Sequence, residues 1–122
     1  MLVRTFSATN FGLQTTKIEI EIDSNQGTPS LIIIGLPSKN VDESKERIIS
    51  ALRNCDIRIR SKRTIVNLAP AEIKKTSNCL ELAIAVAILK MYKEITYPTD
   101  KMIFFGELSL DGSLKKLPVL YH

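Results

Sequence analysis

Residues 106–114 read GELSLDGSL and indicate a β-hairpin near the end of the chain. Asp111-Gly112 lies between two apolar runs, and an Asp-Gly pair in that position is a strong short-range hairpin signal. The turn requires a positive φ, which glycine adopts without steric cost. The sequence therefore predicts two strands joined by a two-residue turn, with residues 101–105 and 114–119 as the last strands of the fold.

Three segments near the N-terminus also have the patterns of strands. Residues 2–10 form the first, and residues 16–23 alternate with Ile18, Ile20 and Ile22 on one face, as expected of a half-buried strand. Residues 30–35 are a continuous apolar run, which suits a central strand buried on both faces. Together these segments predict an antiparallel meander.

Residues 40–54 have the apolar period of a helix. Asn40 and Glu43 have the spacing of a capping box, with Ser38 as an alternative cap. The residues expected to face the core recur at helical spacing and are Val41, Lys45, Ile48 and Leu52.

A second helix is predicted over residues 78–92, which are apolar nearly all round and therefore buried. Asn78 and Glu81 repeat the capping-box spacing. Residues 56–60 and 64–68 alternate as two further strands. The order of elements predicts an α+β fold in which two main helices pack on one mixed sheet.

The composition is that of an ordinary globular domain, since 122 residues with 44% hydrophobic and 25% charged residues are typical of one domain. The longest apolar stretch, residues 82–89, is too short to span a bilayer. No signal peptide is evident, so the cytoplasm is the expected compartment. Cys55 and Cys79 are expected to be reduced thiols there, and they lack metal-site spacing.

Motifs of common enzymes are absent from the sequence. There is no G-x-x-x-x-G-K-[ST] phosphate loop. Gly35 precedes a helix, but Pro37 removes a backbone donor that a phosphate cradle needs, so a tight strand-to-helix connection is favoured. We expect no catalytic, cofactor or metal residues. The acidic residues without an evident partner are expected in caps, turns and solvated faces and are Glu72, Glu81, Glu107 and Asp111.

Basic residues cluster in one part of the sequence, whose net charge is +4. Such a set can line a phosphate backbone, and few aromatic residues are available for base stacking, so any contact would be backbone-based and salt-sensitive. The alternative, which we weigh more heavily, is a solvated edge strand whose charges prevent edge-to-edge association with another sheet. The candidate nucleic-acid residues are Arg58, Arg60, Lys62, Arg63, Lys74 and Lys75.

Five motifs in a fixed order resemble a known family. They read IGLP at residues 34–37, ESKER at 43–47, VNLAP at 66–70, ELAIA at 81–85 and FGELSLDG at 105–112. The residues of these motifs and their order are similar to those in the N-terminal domain of the magnesium-chelatase-like AAA+ ATPases of the ComM/YifB group.

The resemblance implies a fold like that of the Lon peptidase domain and of domain 2 of ribosomal protein five of the small subunit. It implies that residues 1–122 are one N-terminal domain of a larger protein whose ATPase domain, with ATP and magnesium, is absent here. The expected parent is a cytoplasmic homo-oligomeric ring that moves DNA branches during natural transformation. The implied partners are the ATPase domain of the same chain and possibly DNA, and no membrane is implied.

Two alternatives follow from the same resemblance. The Lon Ser–Lys dyad would place its serine at Cys79 and its lysine near Tyr121, which makes a cysteine peptidase conceivable. No general base is apparent, however, and a small buried residue suits the start of an apolar helix. The other alternative is a stand-alone protein-interaction module whose exposed strands mediate ring assembly.

Overall fold

A computed structural model describes residues 2–11, 14–36, 38–57, 59, 62–70 and 78–113. The strands are β1 (Leu2–Phe11), β2 (Gln14–Gln26), β3 (Ser30–Ile34) and β4 (Lys62–Ala69), and the helices are α1 (Ser38–Asn54) and α2 (Glu81–Met91). Among the described residues, the strands form one mixed sheet in the order β1-β2-β4-β3. The predicted α+β fold, two helices on a mixed sheet, is confirmed.

The sheet begins with an antiparallel hairpin but does not continue as a meander. β1 pairs with β2, and β2 pairs with β4, both antiparallel, whereas β3 pairs with β4 in parallel. The predicted meander is therefore wrong beyond the first hairpin. The reason is α1, which lies between β3 and β4 in the chain and returns it to the same end of the sheet, as a crossover between parallel strands must.

The core lies on one face of the sheet, beneath the two helices. Ile18, Ile20 and Ile22 of β2 are completely buried, as their alternation predicts. β3 was expected to be buried on both faces, and this is wrong. It lies at the edge of the described sheet and alternates, so that Leu31 is buried while Ile34 is 52% exposed. Only alternate residues of its apolar run therefore reach the core.

α2 packs against β1 and β2 with small residues, which allows a close approach. The buried hydroxyl of Thr5 on β1 donates a hydrogen bond to the carbonyl oxygen of Ala83 on α2 at 2.8 Å. α1 begins at Ser38, so Asn40 lies inside its first turn and is not its cap. Ser44 is buried on α1, and the predicted core position Lys45 is half-buried.

The segment after α2 is tied to the sheet by single hydrogen bonds. The amide of Phe104 donates to the carbonyl of Phe6 at 2.9 Å, and the amide of Gly106 donates to the carbonyl of Cys79 at 2.8 Å. Residues 102–107 do not form a strand, so the strand predicted at 101–105 is wrong. These bonds join the segment to two different elements and give it no continuous ladder with one neighbour.

The predicted turn is present with a different loop length. The amide of Ser109 donates to the carbonyl of Ser113 at 2.8 Å, and the amide of Gly112 donates back to Ser109 at 3.0 Å. Gly112 has φ +92. The loop therefore contains three residues with glycine in the left-handed position, a common hairpin type, and the two-residue turn is wrong. The strand predicted at 114–119 lies outside the described residues.

The segment after α1 also differs from its prediction. Asp56 and Ile57 follow the helix, and neither they nor Ile59 belong to a strand, so the strand predicted at 56–60 is not found in its described residues. Asp56 has φ +64, and the amide of Ile57 donates to the carbonyl of Leu52 at 2.8 Å. These features end the helix with a left-handed residue and turn the chain out of the helical direction. In the described part of the chain, no helix is long and apolar enough to cross a membrane.

Candidate functional site

The predicted basic cluster is described at two of its six positions. Arg58, Arg60, Lys74 and Lys75 lie outside the described residues. The backbone of Lys62 begins β4 and lies opposite Gln26 of β2. Arg63 follows it, and its side chain is exposed.

Arg63 lies on an inner strand, between Asn25 of β2 and Ser30 of β3. The alternative explanation, a solvated edge strand whose charges prevent association with another sheet, is therefore wrong for Arg63. Thr64 is buried towards the helices, so Arg63 lies on the opposite, open face of the sheet. No described residue forms an ion pair with Arg63, and its guanidinium is available for a phosphate oxygen.

Elsewhere on the open face, Arg4 is already matched by carboxylates. Its Nε lies 2.8 Å from Glu19, and its Nη2 lies 3.5 Å from Glu21. The side-chain amide of Asn67 also donates to Glu21, at 3.3 Å, and the Lys17 ammonium lies over the Phe6 ring, 4.1 Å from its centroid. The surroundings of Glu19 and Glu21 are thus less favourable for a polyanion than the start of β4, which carries Arg63.

A buried charged cluster joins the two helices at the other side of the molecule. Glu81, the first residue of α2, is 1% exposed. Its Oε2 accepts hydrogen bonds from the Ser44 hydroxyl at 2.9 Å and from the Nε of Arg47 at 2.8 Å, and its Oε1 accepts one from the amide of Leu108 at 3.2 Å. The carboxylate therefore connects α1, α2 and the start of the hairpin.

This cluster corrects two expectations about Glu81. It was expected as a capping-box partner of Asn78 or on a solvated face, but α2 is preceded by Leu80 without a side-chain cap, and the carboxylate faces α1. The prediction for Glu81 rested on its position at the start of a helix. The signal that points to the observed role is the spacing of Ser44 and Arg47, which places two donors on one face of α1.

With this geometry in view, comparisons with known proteins identify the family. Residues 20–121 match the family model described as subunit ChlI of Mg-chelatase. The chain belongs to this family. It is 35% identical over 111 residues to the competence protein ComM of Haemophilus influenzae. The aligned region covers 90% of this chain and 22% of that protein.

Further relatives show the same partial coverage. YifB of Escherichia coli is 33% identical over 108 residues, covering 88% of this chain and 21% of the relative. Rv2897c of Mycobacterium tuberculosis is 32% identical over 115 residues, covering 93% and 23%. The chain spans about a fifth of the length of these curated relatives.

Two glycines of the family-like motifs have steric roles. A Cβ on Gly35, which has φ +109, would lie 2.9 Å from the carbonyl oxygen of Leu68. Gly35 thus allows the connection from β3 to α1 to pass close to β4, consistent with the tight strand-to-helix connection expected from the sequence. A Cβ on Gly112 would lie 2.8 Å from the Sγ of Cys55, so the hairpin loop packs directly on the end of α1.

Cys79, the residue of the peptidase alternative, lies in a short 3₁₀ turn before α2 and is 9% exposed. This burial restricts the access of a substrate to the thiol. Tyr121 and Glu72 lie outside the described residues. Within the described ranges, no group of three or more His, Cys, Asp or Glu side chains could hold a metal ion.

The hairpin loop contains a carboxylate with a perturbed acidity. The Oδ1 of Asp111 accepts hydrogen bonds from the Ser113 amide at 2.9 Å and from the Ser113 hydroxyl at 2.7 Å. The bond from the Ser113 amide, followed by that from its hydroxyl, lowers the pKa of Asp111 because both stabilise the charged carboxylate. Asp111 is a turn residue, as expected.

Proposed function

We propose that this chain is a non-catalytic N-terminal accessory domain of a magnesium-chelatase-like AAA+ ATPase and that it contacts the nucleic-acid backbone through residues at the start of β4. The family match over residues 20–121 supports the first part. The coverage of about a fifth of each relative supports a role within a longer protein. In this proposal, ATP and magnesium act in the ATPase domain, and the complete protein is a cytoplasmic homo-oligomeric ring.

The proposed biological setting is DNA uptake. One relative is named a competence protein, and we extend that role to a parent protein that moves DNA branches during natural transformation. The observation that carries the DNA contact is the exposed Arg63, without a carboxylate partner among the described residues, next to Lys62 in β4. Arginine and lysine side chains at the start of a strand can bind phosphates without contacting the bases, so little sequence specificity is expected.

Fluorescence anisotropy of the 122-residue chain with a labelled duplex, at 50 to 200 mM salt, tests this proposal. Reversing Arg58, Arg60, Lys62 and Arg63 to glutamate together should weaken binding and flatten the dependence of log K on log salt. Each phosphate contact contributes about 0.9 to that slope, so Arg63→Glu alone should reduce the slope by about one.

Lys101→Glu provides the matched control, since it makes the same charge change at an exposed residue outside the sheet. It should change the affinity less than Arg63→Glu does. The DNA contact is rejected if the fourfold variant keeps the wild-type affinity and slope, or if Lys101→Glu weakens binding as much as Arg63→Glu.

A further inference from the structure

A groove lies along the N-terminal half of β1. It has a volume of about 640 Å³, within the range of ligand-binding clefts. One wall is the N-terminal half of β1, and the other is the end of α2 with the loop that follows it. The groove is lined by Leu2, Val3, Arg4, Phe6, Lys90, Lys93, Ile95, Thr96 and Asp100.

The β1 wall presents backbone groups that have no strand partner. In an antiparallel strand, the amide and carbonyl of one residue point to the same side, and successive residues alternate. The carbonyl of Phe6 points away from β2, because it accepts a hydrogen bond from Phe104. By this alternation, the amide and carbonyl of Arg4 also point away from β2 and into the groove. No hydrogen bond occupies them among the described residues.

The side chains around this open edge differ between its two faces. Leu2 and Phe6 lie on the open face of the sheet, where Leu2 is 53% exposed. Lys90 comes from the last turn of α2, which packs on the other face, and Lys93 from the turn that follows the helix. The one acidic lining residue is Asp100. A strand added here would meet apolar side chains on one face and mainly positive charges on the other.

Lys93 occupies a backbone position that favours glycine. It has φ +62 just after α2, where its amide donates to the carbonyl of Lys90 at 3.0 Å and the amide of Glu94 donates to that of Leu89 at 2.9 Å. This helix ending usually carries glycine, because a side chain in the left-handed region is strained. A lysine at a strained backbone position beside a groove points to a role for its side chain.

We propose that this groove binds an extended acidic peptide segment, which pairs with the edge of β1 as an added strand. Its backbone would exchange hydrogen bonds with the amide and carbonyl of Arg4. The added pairing would end before Phe6, whose carbonyl already accepts a hydrogen bond from the amide of Phe104. Alternate acidic side chains would face Lys93 and Lys90, whose ammonium also donates a hydrogen bond to Thr99 at 2.8 Å, and the apolar side chains between them would contact Leu2 and Phe6. This mode of recognition takes affinity from backbone pairing and specificity from alternate side chains. The proposal does not depend on the DNA contact at β4.

The probe is a blocked heptapeptide of sequence EVEVEVE, which has the required alternation. Titration of the labelled peptide into the 122-residue chain gives the affinity, and amide hydrogen exchange gives the site. Exchange at Arg4 should slow on binding, because its amide gains a partner. The peptide KVKVKVK should not bind, and replacing the central valine by proline should weaken binding through the loss of a backbone donor.

Lys93→Gly is the decisive variant, since it removes the charge and also relieves the left-handed strain. Its thermal midpoint should rise, while its affinity for EVEVEVE falls roughly three- to fivefold, the effect of one exposed charge pair. Loss of binding cannot then be explained by unfolding. Arg53→Gln is the control, because it removes one exposed positive charge at the end of α1, outside this groove.

Three results would overturn the proposal. The first is unchanged exchange at Arg4 in the presence of bound peptide. The second is equal affinity of wild type and Lys93→Gly. The third is displacement of the peptide by single-stranded DNA whose own affinity falls in Lys93→Gly, which would make the groove a phosphate site. The β4 proposal is tested separately by Arg63→Glu, so either proposal can fail without the other.

Discussion

The Nε of Arg47 on α1 lies 2.8 Å from the Oε2 of Glu81, the first residue of α2. The Glu81 side chain is 1% exposed and that of Arg47 is 18% exposed. The same carboxylate accepts hydrogen bonds from Ser44 and from the amide of Leu108. A single buried charge thus positions both helices and the beginning of the hairpin relative to one another.

Removing this carboxylate should destabilise the fold strongly. Glu81→Ala leaves the Arg47 guanidinium and the Ser44 hydroxyl without their shared acceptor, and breaking a buried ion pair costs about 3 to 5 kcal/mol. We expect the free energy of unfolding, measured by urea denaturation, to fall by about 3 kcal/mol. Glu81→Gln keeps the shape and should cost less.

The control is Glu43→Gln on the exposed side of the same arginine. The Glu43 carboxylate is 3.9 Å from Arg47, and its side chain is 71% exposed. Such a pair contributes less than about 1 kcal/mol, so the change should be small. If Glu81→Ala is as mild as Glu43→Gln, the buried cluster does not hold the helices together.

The contact between Gly112 and Cys55 gives a second prediction. Gly112→Ala places a side chain at φ +92, which costs about 1 to 2 kcal/mol, and puts its Cβ 2.8 Å from the Cys55 Sγ. The variant should therefore lose more stability than the backbone strain alone explains. Cys55→Ala removes the sulfur and should recover the steric part of the loss, while the strain remains.

A double-mutant cycle in thermal or urea unfolding separates these two parts. We expect Gly112→Ala to cost at least about 0.5 kcal/mol less in the Cys55→Ala background than in wild type, as for residues in contact. Equal costs in both backgrounds would mean that the exposed Cys55 side chain rotates away, or that the hairpin loop moves, without penalty.

The fold was predictable where one local signal decided the structure. The alternation of Ile18, Ile20 and Ile22 fixes which face of β2 is buried, and all three are completely buried. The apolar run in β3 was ambiguous, because a hydrophobic strand at a sheet edge and one at its centre can have the same sequence. Its parallel pairing depends on the crossover through α1, which is a tertiary property.

The sites were less predictable, because they depend on contacts between distant residues. Glu81 and Ser44 are 37 positions apart in the chain, and no local pattern reports their hydrogen bond. The groove along β1 combines Arg4 with Lys90 and Lys93, which are far from Arg4 in the chain. The basic residues around Arg63, by contrast, are close together in the sequence and were therefore predicted as a cluster.

The final prediction concerns the acidity of Asp111. Its carboxylate accepts two hydrogen bonds from Ser113, so the pKa of Asp111 in the folded state lies below the ordinary aspartate value of about 3.9. Carboxyl chemical shifts followed by NMR during an acid titration will measure it. In Ser113→Ala the hydroxyl donor is lost and the amide donor remains, so the pKa should rise part of the way back.

The sign of the effect on stability follows from this lowered pKa. The stabilising contribution of the Asp111 carboxylate is fully present above the unfolded-state pKa and is lost as the pH falls through the lower folded-state pKa. The stability difference between wild type and Asp111→Ala should therefore be constant near neutral pH and shrink below about pH 3.9. A difference that grows on acidification, or a folded-state pKa at or above the ordinary value, would mean that the Ser113 donors do not hold this carboxylate in solution.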